Sequence, residues 1–156
     1  MMGRKFKFND NNYLDSAGIM HGEELLSQIL NNLHKQDVLW TGGSYMNAEQ
    51  SIDLSKTPIS KQKNGIVLVF SVYSGGKVQD YDFKTFFIHK KVVADFPGVG
   101  HDFFLNTSGF NIVGAKYLYI ADTKITGNAA NQQTGTGSSG VKYQNNYWVL
   151  RYVLGV

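Results

Sequence analysis

His101-Asp102 is the most suggestive pair of chemically competent side chains in this 156-residue sequence. An imidazole beside a carboxylate can shuttle a proton. Neighbours in a strand point to opposite faces, however, so the two work as a dyad only within a turn. The plainer reading is a polar strand start after Gly98-Val99-Gly100. Asp80 and Asp82 would share a strand face roughly 7 Å apart. Paired carboxylates hydrolyse glycosides at separations of about 5 to 9.5 Å. Such pairs usually flank a cleft from different elements, and alternating acids more often mark a solvated strand face. The four histidines, His21, His34, His89 and His101, include no His-x-x-x-His spacing, so no metal is expected. No Gly-x-Ser-x-Gly elbow surrounds a serine. Gly75-Gly76 and Gly135-x-Gly137 lack the Lys-Ser/Thr of a phosphate loop and read as turns. Cysteine is absent, which excludes disulfides, thiolate metal sites and cysteine nucleophiles. The sequence therefore predicts no enzyme activity and no cofactor.

Binding chemistry is better supplied. A carbohydrate site needs an aromatic face for the apolar side of a sugar ring, with Asp, Asn, Gln or His beside it for the hydroxyls. Such sites are shallow, wet and often built from loops. Tyr73, Asp80 and Tyr81 flank a Ser-Gly-Gly turn, and His101-Asp102 stands as a neighbour. These five residues are the candidate ligand site, with the Asn- and Gln-rich stretch 126–140 beside them. Trp40, Phe70, Phe83, Phe103 and Trp148 read instead as core, because aromatics are hydrophobic bulk first.

The elements that must position these residues are mostly strands. Aromatics at 13%, with 17 glycines and only two prolines, favour an all-β domain with tight turns. Residues 22–35 are the exception: Leu25, Leu26, Ile29, Leu30 and Leu33 form one helical stripe. Glu23 and Glu24 lie at its positive end and His34 and Lys35 at its negative end. The stripe fits packing on the chain's own sheet and self-association equally well. From residue 37 the pattern becomes β. Ile66-Val67-Leu68-Val69-Phe70-Ser71-Val72-Tyr73 reads as a strand buried on both faces. Asn64-Gly65 before it reads as a hairpin opening, and Ser74-Gly75-Gly76-Lys77 as a hairpin turn. Residues 80–89 alternate, and further strands are expected at 101–105, 112–120 and 147–154. The stretch 126–140 is nearly free of apolar side chains and reads as a mobile loop. The expected fold is an antiparallel β-sandwich or barrel over residues 37–156, preceded by an N-terminal segment, 1–36, with one short α-helix.

The formal charge of +3 is scattered, whereas a nucleic-acid binder gathers its Lys and Arg on one stripe, so no nucleic acid is expected. No apolar run reaches the ~18 residues a bilayer span requires, and the start of the chain has no signal-peptide core. No membrane association is expected.

From Leu39 to Val156 the chain resembles the C-terminal domain of tail-associated minor structural proteins from phages and prophages of low-GC Gram-positive bacteria. The likeness rests on Trp40-Thr41-Gly42-Gly43-Ser44-Tyr45-Met46, Ile52-Asp53-Leu54-Ser55 and Asn64-Gly65-Ile66-Val67-Leu68-Val69-Phe70-Ser71. It continues in Gly114-Ala115-Lys116-Tyr117-Leu118-Tyr119-Ile120-Ala121-Asp122-Thr123-Lys124-Ile125-Thr126-Gly127. It ends in Tyr147-Trp148-Val149-Leu150-Arg151-Tyr152-Val153-Leu154-Gly155-Val156. The resemblance implies a receptor-binding domain in a phage tail, made in the bacterial cytoplasm and carried on the virion. Its partners would be host cell-wall or capsule polysaccharide and other tail proteins, in a homotrimer. A purely structural baseplate or tail-fibre role is the alternative. Arg151, inside the closing strand pattern, requires either a carboxylate partner or exposure.

Overall fold

The computed structural model describes residues 6–8, 12–14, 37–107, 112–138 and 140–156. The chain divides into two compact units, Met1–Lys35 and Gln36–Val156. In the first, β1 (Phe6–Phe8) pairs antiparallel with β2 (Asn12–Leu14). The helix expected at 22–35 lies outside the described residues.

The second unit is built from two curled antiparallel sheets, so the expected all-β architecture holds. One sheet centres on β5 (Gly65–Ser74) and β13 (Trp148–Gly155), with β3 (Asp37–Ser44) beyond β13. Beside β5 lie β6 (Lys77–Val78) and β7 (Lys84–His89). The other sheet centres on β9 (Val113–Ala121), flanked by β8 (Val99–Asn106) and β10 (Lys124–Thr126), with β4 (Ser51–Asp53) beyond β10. The hairpin of β11 (Thr134–Thr136) and β12 (Lys142–Gln144) meets β9 through a single parallel pairing, Tyr143 with Val113.

Period-two alternation decides the core. Ile66, Leu68, Phe70 and Val72 of β5 face Phe103 and Leu105 of β8 and Leu118 and Ile120 of β9 in one buried cluster. The other face of β5 is covered for part of its length: Val69 and Ser71 are buried, while Val67 and Tyr73 are half-buried. Phe70, Phe103 and Trp148 are core residues as expected, and Trp40 is a half-buried flank of it. Phe83 is not, being 47% exposed.

Local departures have local causes. The Gly75-Gly76 turn joins β5 to β6 with φ +59° and +76°, the mirror-image turn glycine permits. Residues 80–83 are not strand: Asp82 adopts φ +54°, so Asp80 and Asp82 share no strand face. Asn64-Gly65 opens no hairpin, because β4, the strand before it, belongs to the other sheet. Gly65 has φ +151°, and a side chain there would strike the Ile88 carbonyl. After β7, His89 accepts the Lys91 amide on Nδ1 at 3.1 Å and starts a short helix, α1 (Lys90–Asp95). Six residues are too few for helical periodicity to show in the sequence.

Candidate functional site

The outer face of β8 and β9 is where exposed chemistry gathers. Register places Asp102 opposite Tyr117, Gly100 opposite Tyr119 and Phe104 opposite Ala115. Leu118 and Ile120 point to the core, so Ala115, Tyr117 and Tyr119 point away from it. Tyr117 and Tyr119 are 37% and 38% exposed, enough ring for a ligand to cover. Their centroids lie 5.3 Å apart with planes at 79°. Tyr117 leans onto Gly100, where any Cβ would collide with the phenol. Asp102 is exposed and makes no hydrogen bond or ion pair among the described residues. With Asn128, Ala130, Asn131 and Asn145 these side chains enclose a shallow groove of about 440 Å³, within the range of small-molecule sites.

Three asparagines build the far wall. Strand β10 pairs with β9 only at residues 119–121, and β12 only at Val113. The edge of β9 between them would be left unpaired. Asn145 Oδ1 accepts the Ala115 N–H at 2.8 Å, and Asn131 Oδ1 accepts the Tyr117 N–H at 2.6 Å. Asn131 Nδ2 donates to the Tyr117 carbonyl at 2.9 Å and also to the Met46 carbonyl. Amide side chains thus stand in for a missing strand. Asn128 caps the 3-10 turn Ala129–Gln132 through Ala130 N–H and donates from Nδ2 to the Tyr119 hydroxyl at 3.2 Å. Within the stretch 126–140, expected as a loop, residues 128–132 are thus held by polar side chains in place of apolar packing.

Behind the groove lies Lys116, on the core-facing side of β9 and fully buried. Its Nζ donates to the carbonyls of Asn131 at 2.7 Å and Tyr45 at 3.0 Å, and sits 5.5 Å from the Tyr45 ring centroid. Burial pushes its pKa down to about 7.

The five predicted site residues do not converge. Asp102 lines the groove. His101 faces inward, stacked on Phe103 with centroids 6.4 Å apart, so the pair cannot act as a dyad. Tyr73 is half-buried at the end of β5, edge-on to Tyr45 at 5.1 Å. Asp80 accepts from Arg151 Nη1 at 3.0 Å, the carboxylate partner that Arg151 requires. Arg151 is itself the bulged residue of β13 against β5, and against β3 it stands opposite two residues, Gly42 and Gly43. Tyr81 meets Tyr147, whose pKa is raised by burial and then by the Tyr81 hydroxyl bond. No hydrogen bond, ion pair or ring contact among the described residues joins Tyr73, Asp80 or Tyr81 to Asp102.

Sequence reasoning missed Tyr117, Tyr119, Asn128, Asn131 and Asn145. The tyrosines were signalled by their alternation with Leu118 and Ile120, which fixes them to one face. The asparagines carried no such signal, because their partners are remote in sequence. No group of three metal-ligating side chains gathers among the described residues, and none of their helices is long and apolar enough to cross a membrane. No protein family, curated protein or solved structure matches the chain.

Proposed function

We propose that this domain binds a host surface glycan without cleaving it, as a receptor-binding part of a phage tail. The single observation that carries the binding reading is the groove of Tyr117 and Tyr119, two half-exposed rings beside the Asp102 carboxylate and the Asn128 amide. The rings suit the apolar face of a sugar, and the carboxylate and amide suit its hydroxyls. The lining carries one carboxylate, whereas glycoside hydrolysis ordinarily uses two. The tail setting rests on the sequence resemblance. In that setting several copies convert modest affinity into avidity, by roughly 10²–10⁴-fold.

The test is binding of fluorescent protein to Gram-positive cells, competed with purified wall or capsule polysaccharide. Tyr119→Ala should lose at least about five-fold in affinity, given ~1–3 kcal/mol for a stacked ring. Tyr81→Ala should bind as wild type does. Equal binding by Tyr119→Ala, or no binding by wild type to any host strain, would sink the reading.

One observation favours the structural alternative. Register aligns Val38, Leu154, Val67 and Phe87 in an apolar row across the outer face of the first sheet. Val38 is 60% and Phe87 53% exposed. A domain serving only assembly would lose incorporation into tails on Phe87→Glu and lose nothing on Tyr119→Ala.

A further inference from the structure

We propose that the groove selects a ligand unit bearing an ammonium group, presented by an amino sugar or by a choline-type quaternary ammonium. This rests on the reading of the groove as the binding site and names the chemistry it selects. The chain as a whole carries +3, so its general surface favours anions. The groove is the exception. Its lining holds one ionisable carboxylate, Asp102, and no basic side chain. Lys116, the nearest base in sequence, points away into the core and is held by two carbonyls.

Geometry adds the second attraction. Tyr117 and Tyr119 meet at 79° and form a two-walled corner, and Tyr117 lies directly across from Asp102. A cation seated there meets aromatic π density and a carboxylate together. A neutral sugar would use the same rings but would leave the carboxylate uncompensated. Phe104, 60% exposed and one step along the same strand face, extends the apolar border next to Ala115. Asp102 spends none of its acceptor capacity on the described residues, so it remains available to an ammonium donor.

The experiment is an NMR titration of the full chain with two matched pairs: glucosamine against N-acetylglucosamine, and choline against its neutral isostere 3,3-dimethylbutan-1-ol. The charged member of at least one pair should bind about ten-fold tighter, and Asp102→Asn should abolish that preference, bringing the two members of the pair to equal affinity. The tighter of the two charged probes identifies the source of the ammonium. Equal binding within both pairs overturns the ammonium inference and leaves glycan binding standing. Preference for choline with no sugar bound supports the inference and removes the glycan reading. Binding of none of the four removes both. A preference that survives in Asp102→Asn overturns the role given to that carboxylate.

Discussion

Burial of Lys116 predicts that this protein gains stability as the solution turns alkaline. In the folded chain burial holds the pKa down at about 7, against about 10.4 for a free lysine. Below pH 7 both the folded and unfolded chains hold the proton, and the group contributes no slope. Between pH 7 and about 10.4 the unfolded chain holds a proton that the folded chain has released, so stability rises with pH. The slope is at most about 1.4 kcal/mol per pH unit. The full interval would give about 5 kcal/mol, but the two carbonyl acceptors favour the charged amine, and about 2–3 kcal/mol is expected. The rise ends near pH 10: Tyr45 and Tyr147 have pKa values raised first by burial, so their contribution is lost as pH climbs past the unfolded tyrosine value. Urea unfolding followed by the fluorescence of the buried Trp148, at intervals from pH 6 to 10, measures the curve. Lys116→Met removes the titrating group while keeping its bulk. It also leaves the Tyr45 and Asn131 carbonyls without this donor, at about 1–3 kcal/mol each. The slope between pH 7 and 9.5, rather than the absolute stability, is therefore the readout. A flat wild-type curve over that interval, or an undiminished slope in Lys116→Met, would refute the reasoning.

Asn131→Ala removes one acceptor and two donated bonds at a buried position and should destabilise the domain by about 2–4 kcal/mol, read from the urea midpoint. Amide exchange should quicken at Tyr117, whose N–H loses its acceptor, and remain slow at Leu68 on the other sheet. Gly100→Ala puts a methyl group where the Tyr117 ring lies. Displacement of that ring should lower stability by about 1–2 kcal/mol and weaken ligand binding more than ten-fold. Unchanged Tyr117 ring resonances in the variant would count against the packing described.

Several elements were legible because local pattern and tertiary role agree. The run Ile66–Tyr73 announced a strand covered on both faces for part of its length, and Gly75-Gly76 announced its turn. That Arg151 needs a carboxylate partner or exposure was readable from its place inside an apolar strand, although which of the two holds, and the identity of the partner, Asp80, was not. Opposed faces for His101 and Asp102 follow from strand geometry alone. The groove was hidden for a different reason. Composition treats Asn128, Asn131 and Asn145 as signs of a loop, and here Asn131 and Asn145 act as backbone substitutes along the edge of β9, while Asn128 caps a 3-10 turn and holds the Tyr119 hydroxyl. Such a bond depends on which strands fail to reach that edge, a property of the assembled sheet. Lys116 was concealed likewise: a lysine in a strand reads as solvated until the faces of β9 are known.

The topology around β13 has a kinetic consequence. Strands β3 and β5 do not pair with each other; each pairs with β13, which emerges from the ribosome long after both. Until it arrives, the nascent chain holds two strands, one of them the apolar β5, with open hydrogen-bonding edges, a template for pairing with other chains. Closure of the seam joins segments distant in sequence, so its loop-closure entropy is spent late and in one step. Folding should therefore be slow at this sheet, and most vulnerable to aggregation in the interval before β13 docks.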